Sequence, residues 1–217
     1  MNIEQARFNM IEQQIRPWDV LDLGVLDLLA RVRREDFVPP AYQALAFVDA
    51  EVPLGHGQVM LAPKLEARLL QEADVQRHER VLEIGAGSGF MAALLAHRAQ
   101  SVITLERIGA LATQAAANLR HGGVLNASVR AQEGSGGLPD DGPFDVIMLS
   151  GSVPEVPQAL LDQLKPGGRL LAIVGQEPVM RAVRITRLSA TALQPHELFD
   201  TVAPRLAGFG EPSRFHF

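Results

Sequence analysis

The sequence has no cysteine among its 217 residues, which excludes disulfides, thiolate metal sites and a cysteine nucleophile. It has no basic excess either: 20 Lys and Arg face 25 Asp and Glu, for a net charge of -5 and a pI near 5.7. General nucleic-acid binding calls for a basic face or stripe, and the balance here runs the other way. No apolar run approaches the ~20 residues that span a bilayer, and Met1-Asn2-Ile3-Glu4-Gln5 lacks the basic-then-apolar pattern of a secretory signal. A cytoplasmic protein with neither nucleic-acid nor membrane partner is expected. His56, His78, His97, His121, His196 and His216 show no metal-ligand spacing, so no metal site is expected. Internal repeats and low-complexity linkers are also missing, and nothing specifies an oligomeric state.

What is present is enough apolar material for a full core: 47% of residues are hydrophobic and the mean hydropathy is +0.08. One enlarged domain, or one domain with a small appendage, is expected. Residues 1–75 differ in pattern from residues 76–217. Phe8, Ile11 and Ile15 recur at helical spacing before Arg16-Pro17, and Val25, Leu28, Leu29 and Val32 repeat the i, i+3, i+4, i+7 pattern. Trp18 reads as a packing residue at the end of the first helix, and Arg31, Arg33 and Arg34 as a solvated helix face. Ala46 to Asp49 and Val52 to Leu54 read as extended chain running into Gly55-His56-Gly57-Gln58. Pro63 suits the first turn of a helix bearing Leu65 and Leu69.

From about Glu79, short apolar runs alternate with helices. Strands are expected at 80–84, 101–105, 127–132, 144–149 and 169–174, with helices after the first, second and fourth, which predicts a parallel doubly wound α/β sheet. The helix after the second strand should span roughly 109–120 and stop at Gly122-Gly123. Residues 181–188 and 193–202 add two more strands as an antiparallel pair, although Pro195 weakens the second.

The chemistry centres on Val81-Leu82-Glu83-Ile84-Gly85-Ala86-Gly87-Ser88-Gly89-Phe90. A buried strand meets glycines at every second position, and a helix-forming run follows. Glycine at those positions lets backbone approach a nucleotide-like ligand and adopt dihedrals closed to other residues. A dinucleotide turn places Gly or Ala three after its second glycine, where this chain has Phe90, so the turn departs from that pattern. Glu106 ends the next strand, where a carboxylate can accept hydrogen bonds from both ribose hydroxyls.

This turn, Glu106-Arg107, Phe144-Asp145-Val146-Ile147 and Leu164-Lys165-Pro166-Gly167-Gly168-Arg169-Leu170 resemble a class I S-adenosylmethionine-dependent methyltransferase. Further motifs are more particular: Met10-Ile11-Glu12-Gln13-Gln14-Ile15, Phe37-Val38-Pro39, Ala46-Phe47-Val48-Asp49, Pro53-Leu54-Gly55-His56-Gly57-Gln58 and Ala62-Pro63. In order and spacing they resemble the protein-L-isoaspartate O-methyltransferase family over nearly the whole chain. The resemblance implies a seven-stranded, mostly parallel Rossmann-like sheet with an N-terminal helical extension. It also implies S-adenosyl-L-methionine as cofactor and carboxyl O-methylation of L-isoaspartyl residues in damaged proteins, a repair step. In that picture Glu83, Gly85, Ala86, Gly87, Gly89, Glu106, Arg107, Gly134 and Ser135 bind the cofactor, and the segment from Phe47 to Pro63 covers the site and meets the peptide.

Three departures bear on the reaction. The family places Thr-Ile-Ser after its Gly-Gln element, the serine near the acceptor carboxylate, whereas this chain reads Val59-Met60-Leu61. Gly134-Ser135-Gly136 stands for a family Gly-Asp-Gly, and Leu149-Ser150-Gly151-Ser152 for a Thr-Ala-Ala-like run. Gln58, His56 and Ser150 are the candidates to supply the missing hydrogen bonds. Retained isoaspartyl methylation, the same scaffold with another small acceptor, and a non-catalytic S-adenosylmethionine-binding protein all remain open at this stage.

Overall fold

The computed structural model describes residues 2–210. The chain opens with α1 (Ile3–Met10), whose N-cap Asn2 accepts the Gln5 N–H, then a π-helical turn (Ile11–Ile15) and a 3-10 turn (Arg16–Trp18). The expected face of Phe8, Ile11 and Ile15 is corrected here. Phe8 is exposed, while Met10, Ile11 and Ile15 are buried. The wider π turn changes the angle per residue, so the apolar stripe does not continue on one α-helical line. Next comes α2 (Leu23–Arg31), capped by Asp22, which buries Val25, Leu28 and Leu29 as the spacing predicts. Trp18 packs edge-on against Phe199 and lies under the Lys64 ammonium.

A second correction concerns residues 46–49, which form turns rather than extended chain. Pro40 starts a 3-10 segment (Pro40–Leu45), and side chains then satisfy the carbonyls that a strand partner would have taken. Arg34 Nε donates to Ala46 O and Gln14 Nε2 to Phe47 O. Extended chain does occur at β1 (Val52–Gly55) and β2 (Gln58–Met60), an antiparallel hairpin. Gly55, His56 and Gly57 make its turn, all at positive φ. The helix α3 (Pro63–Ala73) begins on Pro63 as predicted.

The sheet is built from β3 (Arg80–Ile84), β4 (Ser101–Glu106), β5 (Ala127–Ala131), β6 (Phe144–Val153), β7 (Leu164–Gln176), β8 (Val179–Arg187) and β9 (Leu193–Thr201). Their order is β5-β4-β3-β6-β7-β8-β9. Pairing is parallel from β5 through β7; β8 is antiparallel to both β7 and β9. Pro195 lies in edge strand β9, where a missing N–H is tolerated. The helix α4 (Phe90–Arg98) follows β3, α5 (Gly109–His121) follows β4, and the single-turn α6 (Gln158–Leu161) follows β6. Two apolar clusters flank the sheet. One joins Val81, Val146 and Leu171 to α2, α3 and α4, and the other joins Leu82, Ile84 and Ile147 to Leu160, Leu161 and Phe209. Successive strands run outward in opposite directions from the β3–β6 boundary, which makes the carboxyl ends of these strands the place for a ligand.

Candidate functional site

The turn after β3 is held by its neighbours before any ligand is considered. Gly85 and Ala86 both donate their N–H to Leu105 O, at 2.9 and 3.0 Å, and Gly89 donates to Ala86 O at 2.7 Å. Gly85, Gly87 and Gly89 have φ of +95°, +51° and +85°, a region that an L side chain rarely adopts. Gly89 also lies under α5: a Cβ there would stand 3.2 Å from Ala115 O. Glu106 Oε2 accepts the Gly87 N–H at 3.0 Å and Oε1 the Ile108 N–H at 2.9 Å. Each oxygen keeps lone-pair capacity for a further donor.

Several predicted residues converge around this turn. Gln58 from β2, Ile84, Gly85, Glu106, Arg107 and Gly134 line one cavity. Gly134 packs on Ile84, with no room for a side chain between them. Glu133 accepts from Gly134 and Ser135 N–H groups and stands 3.5 Å from Arg107 Nε. Ser150, at the carboxyl end of β6, donates its hydroxyl to Glu83 Oε1 at 2.7 Å, and its Cβ would be 3.8 Å from one added to Gly85. His56 does not join them. It is exposed and lines a separate cavity of about 460 Å³ with Leu54, Gly87, Ser88, Gln114 and Asn118. That cavity is the larger of the two, but the carboxylate Glu106 paired with the glycine turn lines the smaller one.

The smaller cavity measures only about 30 Å³, far below the several hundred that hold a nucleoside-sized ligand. The carboxy-terminal segment closes it. Leu206 stands 2.6 Å from a Cβ placed on Gly85, and Phe209 is buried in the core beyond. The Ser152 N–H donates to Pro204 O at 2.8 Å and Leu206 N–H to Ser152 O at 2.9 Å, which ties this segment to β6. The donor set nevertheless suits a nucleoside with ribose hydroxyls: glycines that let backbone approach and a carboxylate with free lone pairs.

Two fully buried carboxyls dominate the electrostatics. Glu83 has no exposure, and burial pushes its pKa up to about 7, against the Ser150 hydrogen bond and with help from the charges of Glu66 and Glu106. The Thr104 hydroxyl acts on the carboxyl too but falls short of hydrogen-bond geometry, and Glu83 Oε2 has no partner among the described residues. Glu66 is raised to about 7 by burial, although Arg34 works in the opposite direction. Arg34 is 1% exposed, which corrects the solvated face expected for it. Its guanidinium binds Glu66 Oε2 and Leu61 O and lies 4.9 Å from the centre of the Phe90 ring. Leu61, where the family has serine, is therefore pinned by its carbonyl while its side chain sits in the apolar core.

Sequence reasoning missed Arg34, Glu66 and Leu206. Only Glu66 left a trace, as a charge three and four positions before the fully buried Leu69 and Leu70 of α3. Among the described residues no three metal-ligating side chains cluster, and no helix is long and apolar enough to cross a membrane.

A mostly parallel sheet with its switch point beside a glycine turn, and an acid at the end of the adjacent strand, defines a class I, Rossmann-like S-adenosylmethionine-dependent methyltransferase. The sequence model of the protein-L-isoaspartate(D-aspartate) O-methyltransferase family matches residues 5–200. The protein-L-isoaspartate O-methyltransferase 1 of Rhodopseudomonas palustris (strain HaA2) is 43% identical over 89% of this chain and 80% of its own. The Koribacter versatilis (strain Ellin345) protein-L-isoaspartate O-methyltransferase is 40% identical over 89% of this chain and 87% of its own. In fold, the chain is similar to a putative protein-L-isoaspartate O-methyltransferase of Plasmodium falciparum solved with S-adenosyl-L-homocysteine. That likeness has a TM-score of 0.76 at 21% identity, over 95% of this chain and 98% of the other. The chain belongs to the protein-L-isoaspartate(D-aspartate) O-methyltransferase family.

Proposed function

We infer that this protein transfers the methyl group of S-adenosyl-L-methionine to the side-chain carboxylate of L-isoaspartyl residues in peptides or proteins. The observation that carries this reading is the positive-φ glycine turn joined to Glu106 at the switch point, in a chain of this family. Bound there, the cofactor supplies a methyl group already activated on a sulfonium. The acceptor is a carboxylate, ionised near neutral pH without a general base. What remains for the protein is positioning and exclusion of water. Gly85, Ala86, Gly87 and Gly89 admit the cofactor, Glu106 takes the ribose hydroxyls, and Gly134 and Ser135 lie along the adenine. Glu83 faces the cationic end. The hairpin and strap from Phe47 to Pro63 cover the site, with Gln58 and Ser150 as the polar groups on the acceptor side.

The second reading, a less polar acceptor on the same scaffold, is favoured by Val59 and Leu61, which carry no hydroxyl at the positions where the family has threonine and serine. Incubation with labelled methyl donor separates the two. Base-labile label on an isoaspartyl peptide, and none on its normal aspartyl twin, is expected. Label on neither peptide, from protein that binds the cofactor, rejects isoaspartyl methylation.

A further inference from the structure

Three fully buried ionisable groups stand between α3 and the glycine turn: Arg34, Glu66 and Glu83. Arg34 spends its donors on Glu66, Leu61 O and Ala46 O, so its charge is committed to Glu66. Glu83 is left with one hydroxyl donor, Ser150, and an unpartnered Oε2. Two carboxylates against one guanidinium would leave an uncompensated negative charge in the interior, which is strongly unfavourable if nothing offsets it. The groups that act on Glu83 offset it only in part: the hydroxyls of Ser150 from β6 and Thr104 from β4 favour its charged form, while Glu66 from α3 and Glu106 from β4 oppose it with their own negative charges. A proton is the remaining compensation when no ligand is bound. Ser150 ties this carboxyl to the Gly85 turn, where the ligand would lie.

We propose that Glu83 exchanges a proton for a cation: the Glu66–Glu83 pair holds one proton in the ligand-free protein and gives it to solvent when a cationic group of the cofactor enters beside Gly85. The carboxylic O–H bond breaks, the proton passes to buffer, and the carboxylate left behind is neutralised by the ligand's ammonium or sulfonium. Charge balances on both sides. The proposal rests on the cofactor reading above and adds to it a proton count and a role for Glu66, which raises the proton affinity of Glu83 by its own charge.

Calorimetric titrations at pH 6.5, in buffers of different protonation enthalpy, read the exchange directly. S-adenosylmethionine should release about one proton per site. S-adenosylhomocysteine, which keeps the ammonium but has no sulfonium, should release the same if the ammonium is the partner and none if the sulfonium is. Methylthioadenosine has neither and should release none. Glu83→Gln should abolish release, and Glu66→Gln should reduce it, because without the Glu66 charge Glu83 holds its proton less tightly before any ligand arrives. Infrared difference spectra of the unsubstituted protein should lose a protonated-carboxyl band on binding, which keeps the test independent of how the variants fold. Binding of S-adenosylmethionine with no proton released and no band lost would overturn this inference and leave the cofactor reading standing. Failure of all three ligands to bind would overturn both.

Discussion

Leu61 and Arg34 show how one residue's environment decides what its neighbour can do. Leu61 is buried, and its carbonyl is fixed by Arg34 Nη2 at 2.6 Å. Leu61→Ser restores a hydroxyl where the family has serine but opens space in the core. It should lower stability by about 2–4 kcal/mol in urea unfolding, the cost of losing a buried leucine side chain. In the same protein it should raise kcat/KM on an isoaspartyl peptide by up to about tenfold, the worth of one added hydrogen bond. Unchanged kinetics would show that the missing hydroxyl is not what limits the reaction.

The carboxyls of Glu66 and Glu83 are both held up by burial, and the sign of their effect on stability follows. A carboxyl whose folded pKa is raised stays protonated in the fold at pH values where the unfolded chain has already lost its proton. Its stabilising contribution is complete below the unfolded value of 4.5 and declines as pH rises toward about 7. Thermal melts of the ligand-free protein between pH 5 and 7.5 should show this decline, flattened in Glu83→Gln. A decline of equal slope in that variant would remove Glu83 as its source.

At the scale of elements, the β3–α4 turn is shaped by β4 and α5 as much as by its own glycines. Leu105 O and Glu106 bind its N–H groups, and Ala115 lies against Gly89. The need for glycine was legible in the spacing, as were every strand of the sheet and the start of α3 on Pro63. The π-helical turn at Ile11–Ile15 and the turns at 46–49 were not legible, because both depend on partners distant in sequence, such as Gln14 bonding Phe47 O. Gly85→Ala adds a Cβ at φ +95° and 2.6 Å from Leu206. It should cost about 1–3 kcal/mol in strain and weaken S-adenosylhomocysteine binding at least tenfold by calorimetry. Wild-type affinity would mean that ligand backbone contact at Gly85 is not needed.

For the whole molecule, the segment from Pro204 to Phe209 brings the end of the described chain back over the carboxyl ends of β3 and β6. It narrows the turn's cavity to about 30 Å³, so on the cofactor reading proposed above Leu206 has to withdraw before a nucleoside can enter. Leu206→Ala should therefore speed association of S-adenosylhomocysteine several-fold in stopped-flow mixing. An unchanged rate would place the entry path elsewhere.

The sequence by itself determined the strand–turn–helix at Gly85, the acid at Glu106 and the sheet around them, because glycine dihedrals, apolar strand patterning and spacing along the chain are local properties. The family motifs were local too. Tertiary structure alone decided that Arg34 is buried, that Glu66 and Glu83 share one interior with a single guanidinium, that His56 stands apart from Gln58 and Ser150, and that Leu206 fills the space at Gly85. Burial and charge compensation are properties of residues brought together from distant positions, and no spacing along the chain encodes them.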